Sequence, residues 1–64
     1  MRTPLYEVGD LLTSKYESDI PLLVLGIEQD PHSEENLLYR VHDLKVGDIY
    51  LENHLFVDQV YVRA

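Results

Sequence analysis

Three histidines and twelve acidic residues in a chain of 64 raise metal binding and acid–base catalysis before anything else. Asp30, His32, Glu34 and Glu35 fall in one short stretch and carry oxygen and imidazole donors. Their spacing matches neither an alternating aspartate calcium loop nor a histidine pair one helical turn apart, so the stretch reads as a solvated loop. His42 and His54 are separated by a turn and a strand, and read as surface or hydrogen-bonded side chains. Ser14, Ser18 and Ser33 sit in polar loops outside the Gly-x-Ser-x-Gly setting that exposes a nucleophile. No glycine-rich phosphate cradle occurs either. No catalytic residue, metal or cofactor is assigned, and the expectation is a protein without enzymatic activity.

The aromatic side chains are the better lead: Tyr6, Tyr16, Tyr39, Tyr50, Tyr61 and Phe56, with no tryptophan. A tyrosine ring offers rigid apolar area and its hydroxyl tolerates water, so surface clusters of tyrosine suit peptide recognition. An aromatic cage for a methylated lysine is a narrower form of the same idea. The competing reading is that two or three of these rings simply complete a small core. Sequence leaves both open.

Short strands must position these groups. Val8-Gly9-Asp10-Leu11-Leu12 returns as Val46-Gly47-Asp48-Ile49-Tyr50, a Gly-Asp turn leading into an apolar run each time. Glycine tolerates the positive φ such turns use, which places strand starts at Leu11 and Ile49. Val8 to Thr13 is the first strand expected, followed by a long polar loop. Pro21 to Glu28 is apolar at odd and even positions alike, the pattern of a central strand buried on both faces or bent at Gly26. Gln29 to Asn36 is a loop, by its proline and small polar residues.

Leu37 to Leu44 admits two readings. As a strand, Leu37, Tyr39 and Val41 share one face. As a helix, Ser33 caps, Leu37, Val41 and Leu44 align, and Gly47 terminates. Tyr39 and Val41 suit a pleated surface while His42 and Asp43 are mediocre helix formers, so the strand is preferred. A weaker helix start at Thr3-Pro4 is opposed by Gly9. Ile49 to Leu51 is the next short strand, Asn53 caps a single helical turn through His54 and Leu55, and Val57 to Val62 is the last strand.

Size and charge bound the function. A domain this small buries only about 60% of the surface its unfolded chain exposes. The chain has no cysteine, so no disulfide supplements its core. Its longest nearly unbroken apolar run, Ile20 to Ile27, is far short of the roughly 20 residues that span a bilayer. The Met1-Arg2-Thr3-Pro4 start lacks a signal-peptide pattern, so a cytoplasmic location is expected. Twelve acidic against five basic residues give a net charge of −7. Nucleic-acid binding draws on clustered Lys and Arg, and here they are scattered singly, which disfavours direct DNA or RNA binding.

The order of elements resembles that of SH3-like small β-barrels. The resemblance spans about Val8 to Val62 and rests on Val8-Gly9-Asp10-Leu11, on Leu23-Val24-Leu25-Gly26-Ile27 with Tyr39-Arg40-Val41-His42, and on Asn53-His54-Leu55. The chain departs from the pattern in lacking a hairpin tryptophan and in carrying the additional Lys45-Val46-Gly47-Asp48 turn. It is similar in particular to short stand-alone barrels of tailed bacteriophages. The resemblance implies a single all-β domain over residues 1–64: a barrel of five short strands with one 3₁₀ turn before the last. It also implies a groove between the long first loop and the final turn, bringing Tyr16, Tyr50 and Phe56 beside Glu17, Asp19 and Glu52. An acid-rimmed aromatic groove selects a basic or proline-containing peptide.

The functional expectation is a non-enzymatic interaction module, located in the host cytoplasm if phage-encoded, that binds a host or phage protein and can pair its open edges into a homodimer. The rivals are an acidic mimic that occupies a host protein's nucleic-acid site, and a small nucleic-acid-binding barrel.

Overall fold

The computed structural model describes residues 3–17 and 19–64. Ser18 and the Met1-Arg2 start weighed above lie outside them. Five strands and one helix follow in order: β1 (Leu11–Ser14), β2 (Pro21–Gln29), β3 (Leu37–Asp43), β4 (Ile49–Asn53), α1 (His54–Val60) and β5 (Tyr61–Arg63). The strands form one antiparallel sheet in the order β4-β3-β2-β1-β5. The sheet is open, with β4 and β5 as its two edges. No helix among the described residues is long and apolar enough to cross a membrane.

The Gly-Asp turns behave as their sequence requires. Gly9 and Gly47 have φ of 95° and 87°, and no other described residue has positive φ. The first strand nevertheless starts at Leu11 rather than Val8, because residues 7–10 close on themselves. Asp10 N–H donates to the Glu7 carbonyl at 3.0 Å, and Glu7 N–H donates to Asp10 Oδ2 at 2.9 Å. No helix forms after Thr3-Pro4.

The mixed apolar pattern of β2 has a cause other than burial on both faces. Leu22 and Val24 are buried, Leu25 is 38% exposed, and Ile27 packs on the core. Val24 pairs with Val41 and Gly26 with Arg40, so Leu25 is the extra residue of a bulge. One inserted residue switches which parity faces inward. The strand therefore reads apolar at even positions before the bulge and at Ile27 after it, with its other face toward solvent.

Residues 37–43 take the strand form, with Tyr39 and Val41 buried and Arg40 exposed. The segment after β4 departs further from expectation. In place of a single 3₁₀ turn and a strand beginning at Val57, α1 runs for seven residues and β5 keeps only three. Asn53 caps it, its side chain accepting the Leu55 N–H at 2.8 Å. His54 and Val57 are buried and Val60 packs on the core. That three-residue spacing suits a helix and outweighs the strand preference of the β-branched valines. His54 Nδ1 lies 3.0 Å from the Leu37 N–H and 3.1 Å from its carbonyl, tying the helix to the start of β3.

The core comprises Tyr6, Leu12, Leu22, Val24, Tyr39, Val41, Val57 and Tyr61, flanked by Ile20, Ile27, Tyr50 and Val60. Three tyrosines thus belong to the interior, and the hydroxyls of Tyr39 and Tyr6 are used there. Tyr39 Oη accepts the N–H of Leu5 at 3.1 Å and of Tyr6 at 3.2 Å, and lies 3.3 Å from Asp58 Oδ1, to which it donates. Tyr6 Oη donates to the Tyr61 carbonyl at 2.6 Å.

Candidate functional site

One side of the sheet collects aromatic rings and carboxylates around Tyr61. Tyr61 opens β5 opposite Ser14 of β1 and is only 7% exposed. The Phe56 ring, from the exposed face of α1, meets it edge-on at 6.5 Å between centroids and an interplanar angle of 65°. Such edge-to-face pairs are favourable beyond the area they bury. Tyr50 approaches from β4, where it stands opposite Val41 and leans on the core.

The electrostatics join these rings to an acidic rim. Burial pushes the Tyr61 phenol up, and the carboxylates of Asp43, Glu52 and Glu17 push it further. Burial also raises Tyr50, followed by Tyr61, Asp43, Glu52 and Asp48. Glu52 itself, on the inward side of an edge strand, is held above the ordinary carboxylate range by burial. Both phenols therefore feel Asp43 at the end of β3 and Glu52 of β4, while Glu17 of the loop after β1 acts on Tyr61 and Asp48 of the turn after β3 acts on Tyr50.

Local hydrogen bonds fix that rim. Ser14 Oγ accepts the N–H of Tyr16 at 3.1 Å and of Glu17 at 3.2 Å, so the loop starts in a side-chain-closed turn. Asp43 Oδ1 accepts the N–H of Lys45 at 2.9 Å and of Val46 at 3.3 Å, shaping the next turn in the same way. Lys45 Nζ then reaches Asp19 Oδ2 at 2.8 Å and ties the two turns together. The pair lowers the Asp19 carboxyl and raises the Lys45 ammonium.

The six residues expected in a groove separate into two groups. Phe56 packs against Tyr61, and Glu17, Glu52 and Tyr50 are linked to it electrostatically. Tyr16 stands 79% exposed, and its ring belongs to neither aromatic pair of the described residues. Asp19 is occupied by Lys45. Tyr61, Asp43 and Lys45 complete the face although none was expected in it. Asp43 carried a usable signal, an aspartate two and three residues before the amides it accepts. Tyr61 was obscured by the helix that resets the alternation before it.

The Asp30–Glu35 loop is closed by its own polar groups. Asp30 Oδ1 accepts the His32 N–H at 2.8 Å, and Gln29 Nε2 donates to the carbonyls of Ser33 at 2.7 Å and Asn36 at 3.0 Å. Among the described residues no three or more histidine, aspartate or glutamate side chains gather as a metal site would require. The acidic tyrosine face is open, and no pocket is present among the described residues. Comparison with protein-family models, with curated proteins and with solved structures finds no match.

Proposed function

We propose that this chain is a non-enzymatic protein-interaction module of the SH3-like kind, of phage origin, whose acidic tyrosine face binds a basic segment of a host or phage protein. The barrel reading is supported by the β4-β3-β2-β1-β5 order and by the helical segment directly before the last strand. The binding reading is carried by one observation, the edge-on pairing of half-exposed Phe56 with Tyr61, whose phenol is raised by the charge of Asp43, Glu52 and Glu17. A cation over such rings gains both charge attraction and contact with the ring face. Of the four described Lys and Arg residues, Arg40, Lys45 and Arg63 already pair with Glu28, Asp19 and Asp10, which weighs against a phosphate-binding role.

Affinity capture from a bacterial host lysate tests this, using the natural chain beside Phe56→Ala, Glu52→Gln and the remote Val8→Ala at low and high salt. The expected result is one protein retained by the natural chain and Val8→Ala and lost with Phe56→Ala. Capture that survives Phe56→Ala and collapses with salt identifies an acidic nucleic-acid mimic instead. Absence of any captured protein overturns the module reading.

A further inference from the structure

The strand order leaves β4 with a single neighbour, β3. Asp43 N–H donates to the Asp48 carbonyl at 2.8 Å, and antiparallel ladders alternate from such a pair. The hydrogen-bonded pairs toward β3 then fall at Val41–Tyr50 and Tyr39–Glu52, and the N–H and C=O groups of Ile49 and Leu51 point out from the sheet edge. No turn or loop backbone bond among the described residues takes them up. Natural edges are usually protected by Lys, Pro, a bulge or an inward-pointing charge, and of these β4 (Ile-Tyr-Leu-Glu-Asn) has only the last, Glu52. The outward side chains of the strand are apolar, with Ile49 56% and Leu51 41% exposed.

We propose that β4 is a pairing edge for a second copy of this chain, joined antiparallel about a two-fold axis at Leu51. Side-chain complementarity selects this register from its neighbours. Centred on Leu51, it sets Leu51 against itself, Ile49 against Asn53, and Tyr50 against Glu52 of the other copy, with no like charges opposed. Centred on Tyr50, it sets Asp48 against Glu52. Centred on Glu52, it sets that carboxylate against its own copy, and like charges directly opposite are unfavourable. Shifts that mix parities turn the outer face of one copy onto the inner face of the other. Glu52, an inward-pointing charge that blunts the edge toward other strands, finds in this register alone a phenol donor, Tyr50 of the second copy. The two acidic tyrosine faces then form one continuous surface to which each copy contributes Tyr50 and Glu52.

The net charge of −7 on each chain opposes association, so pairing strengthens as salt screens it. Sedimentation at high protein concentration is expected to show twice the chain mass at high salt and a smaller dimer fraction at low salt. Leu51→Lys is expected to be monomeric with an unchanged circular dichroism spectrum. The chain has no cysteine, so Leu51→Cys reports the axis directly: hydrogen-bonded antiparallel partners lie about 5.5 Å apart at Cα, within disulfide reach. Leu51→Cys is expected to oxidise to a covalent dimer far faster than Leu11→Cys, whose site on β1 is similarly exposed at 43%. A monomer mass at high salt, equal cross-linking of the two variants, or assemblies larger than a dimer overturns the proposal, the last pointing to head-to-tail pairing of β4 with β5.

Discussion

The Tyr39 hydroxyl accepts the backbone N–H of Tyr6 at 3.2 Å while the two rings lie 6.1 Å apart, so a β3 side chain anchors the segment that precedes β1. Tyr39→Phe keeps the ring and removes the acceptor for two amides, Leu5 and Tyr6. Leaving a buried donor unmet costs about 1–3 kcal/mol, a large share of the roughly 3–5 kcal/mol that a core this size supplies. Denaturant unfolding of Tyr39→Phe is expected to show that loss. Amide exchange at Tyr6 is expected to accelerate more than exchange at Val24 in the central strand.

The three glycines should respond oppositely to alanine. A Cβ at Gly9 or Gly47 meets nothing within 4 Å, so any cost comes from the positive φ alone. An L-residue in that region loses about 1–2 kcal/mol. At Gly26 a Cβ finds only Arg40 Cβ at 3.7 Å, an ordinary contact, and the backbone angle is unexceptional. Gly26→Ala is expected to hold or raise stability by about 0.4–1 kcal/mol through the unfolded state, while Gly9→Ala and Gly47→Ala lower the denaturation midpoint.

Much of this architecture is legible in the sequence because it rests on local rules. Gly9 and Gly47 announce turns, Tyr39 and Val41 alternate as a strand, and Asn53 marks a helix start. What escaped depended on parity and tertiary burial. The bulge at Leu25 makes one-sided alternation look two-sided. The helix through Val60 is decided by the depth to which His54 and Val57 sink, which valine's own preference contradicts. The acidic face was only half legible for the same reason. Glu52 and Phe56 were placed by order along the chain, whereas Tyr61 reaches the site only once the helix has taken up the residues before it.

Two carboxylates set opposite pH dependences. The Glu7 N–H and then the Arg63 guanidinium hold Asp10 below its ordinary 3.8. Its contribution is present above that value and is lost as pH falls through the folded pKa. Burial holds Glu52 above its ordinary 4.5, so the fold prefers the protonated acid. That preference is fully expressed below the ordinary value, and stability falls as pH rises through the folded one. Thermal melts between about pH 3 and pH 7 are expected to show Glu52→Gln more stable than the natural chain at neutrality, with no advantage at the acid end. Asp10→Asn is expected to be less stable at neutrality and to converge with the natural chain in acid.

The Asn53 cap links stability to the proposed function. Its side chain accepts the Leu55 N–H at 2.8 Å and sets the first turn of α1, and the next residue, Phe56, lies edge-on to Tyr61. Asn53→Ala removes that acceptor at a cost of about 1 kcal/mol. The buried His54 and Val57 keep the helix on the sheet, so the loss falls on the local geometry of the first turn and with it on the placement of Phe56. Phe56→Ala removes a half-exposed ring together with its edge-on contact with Tyr61, and is expected to lower stability by about 0.5–1.5 kcal/mol. Both variants are expected to weaken partner capture and to lower stability, but only the Asn53→Ala loss is reversed by restoring a capping oxygen. Asn53→Asp retains a capping oxygen and is expected to restore stability and capture together, an outcome that would fail if Phe56 acted without being positioned by the helix start.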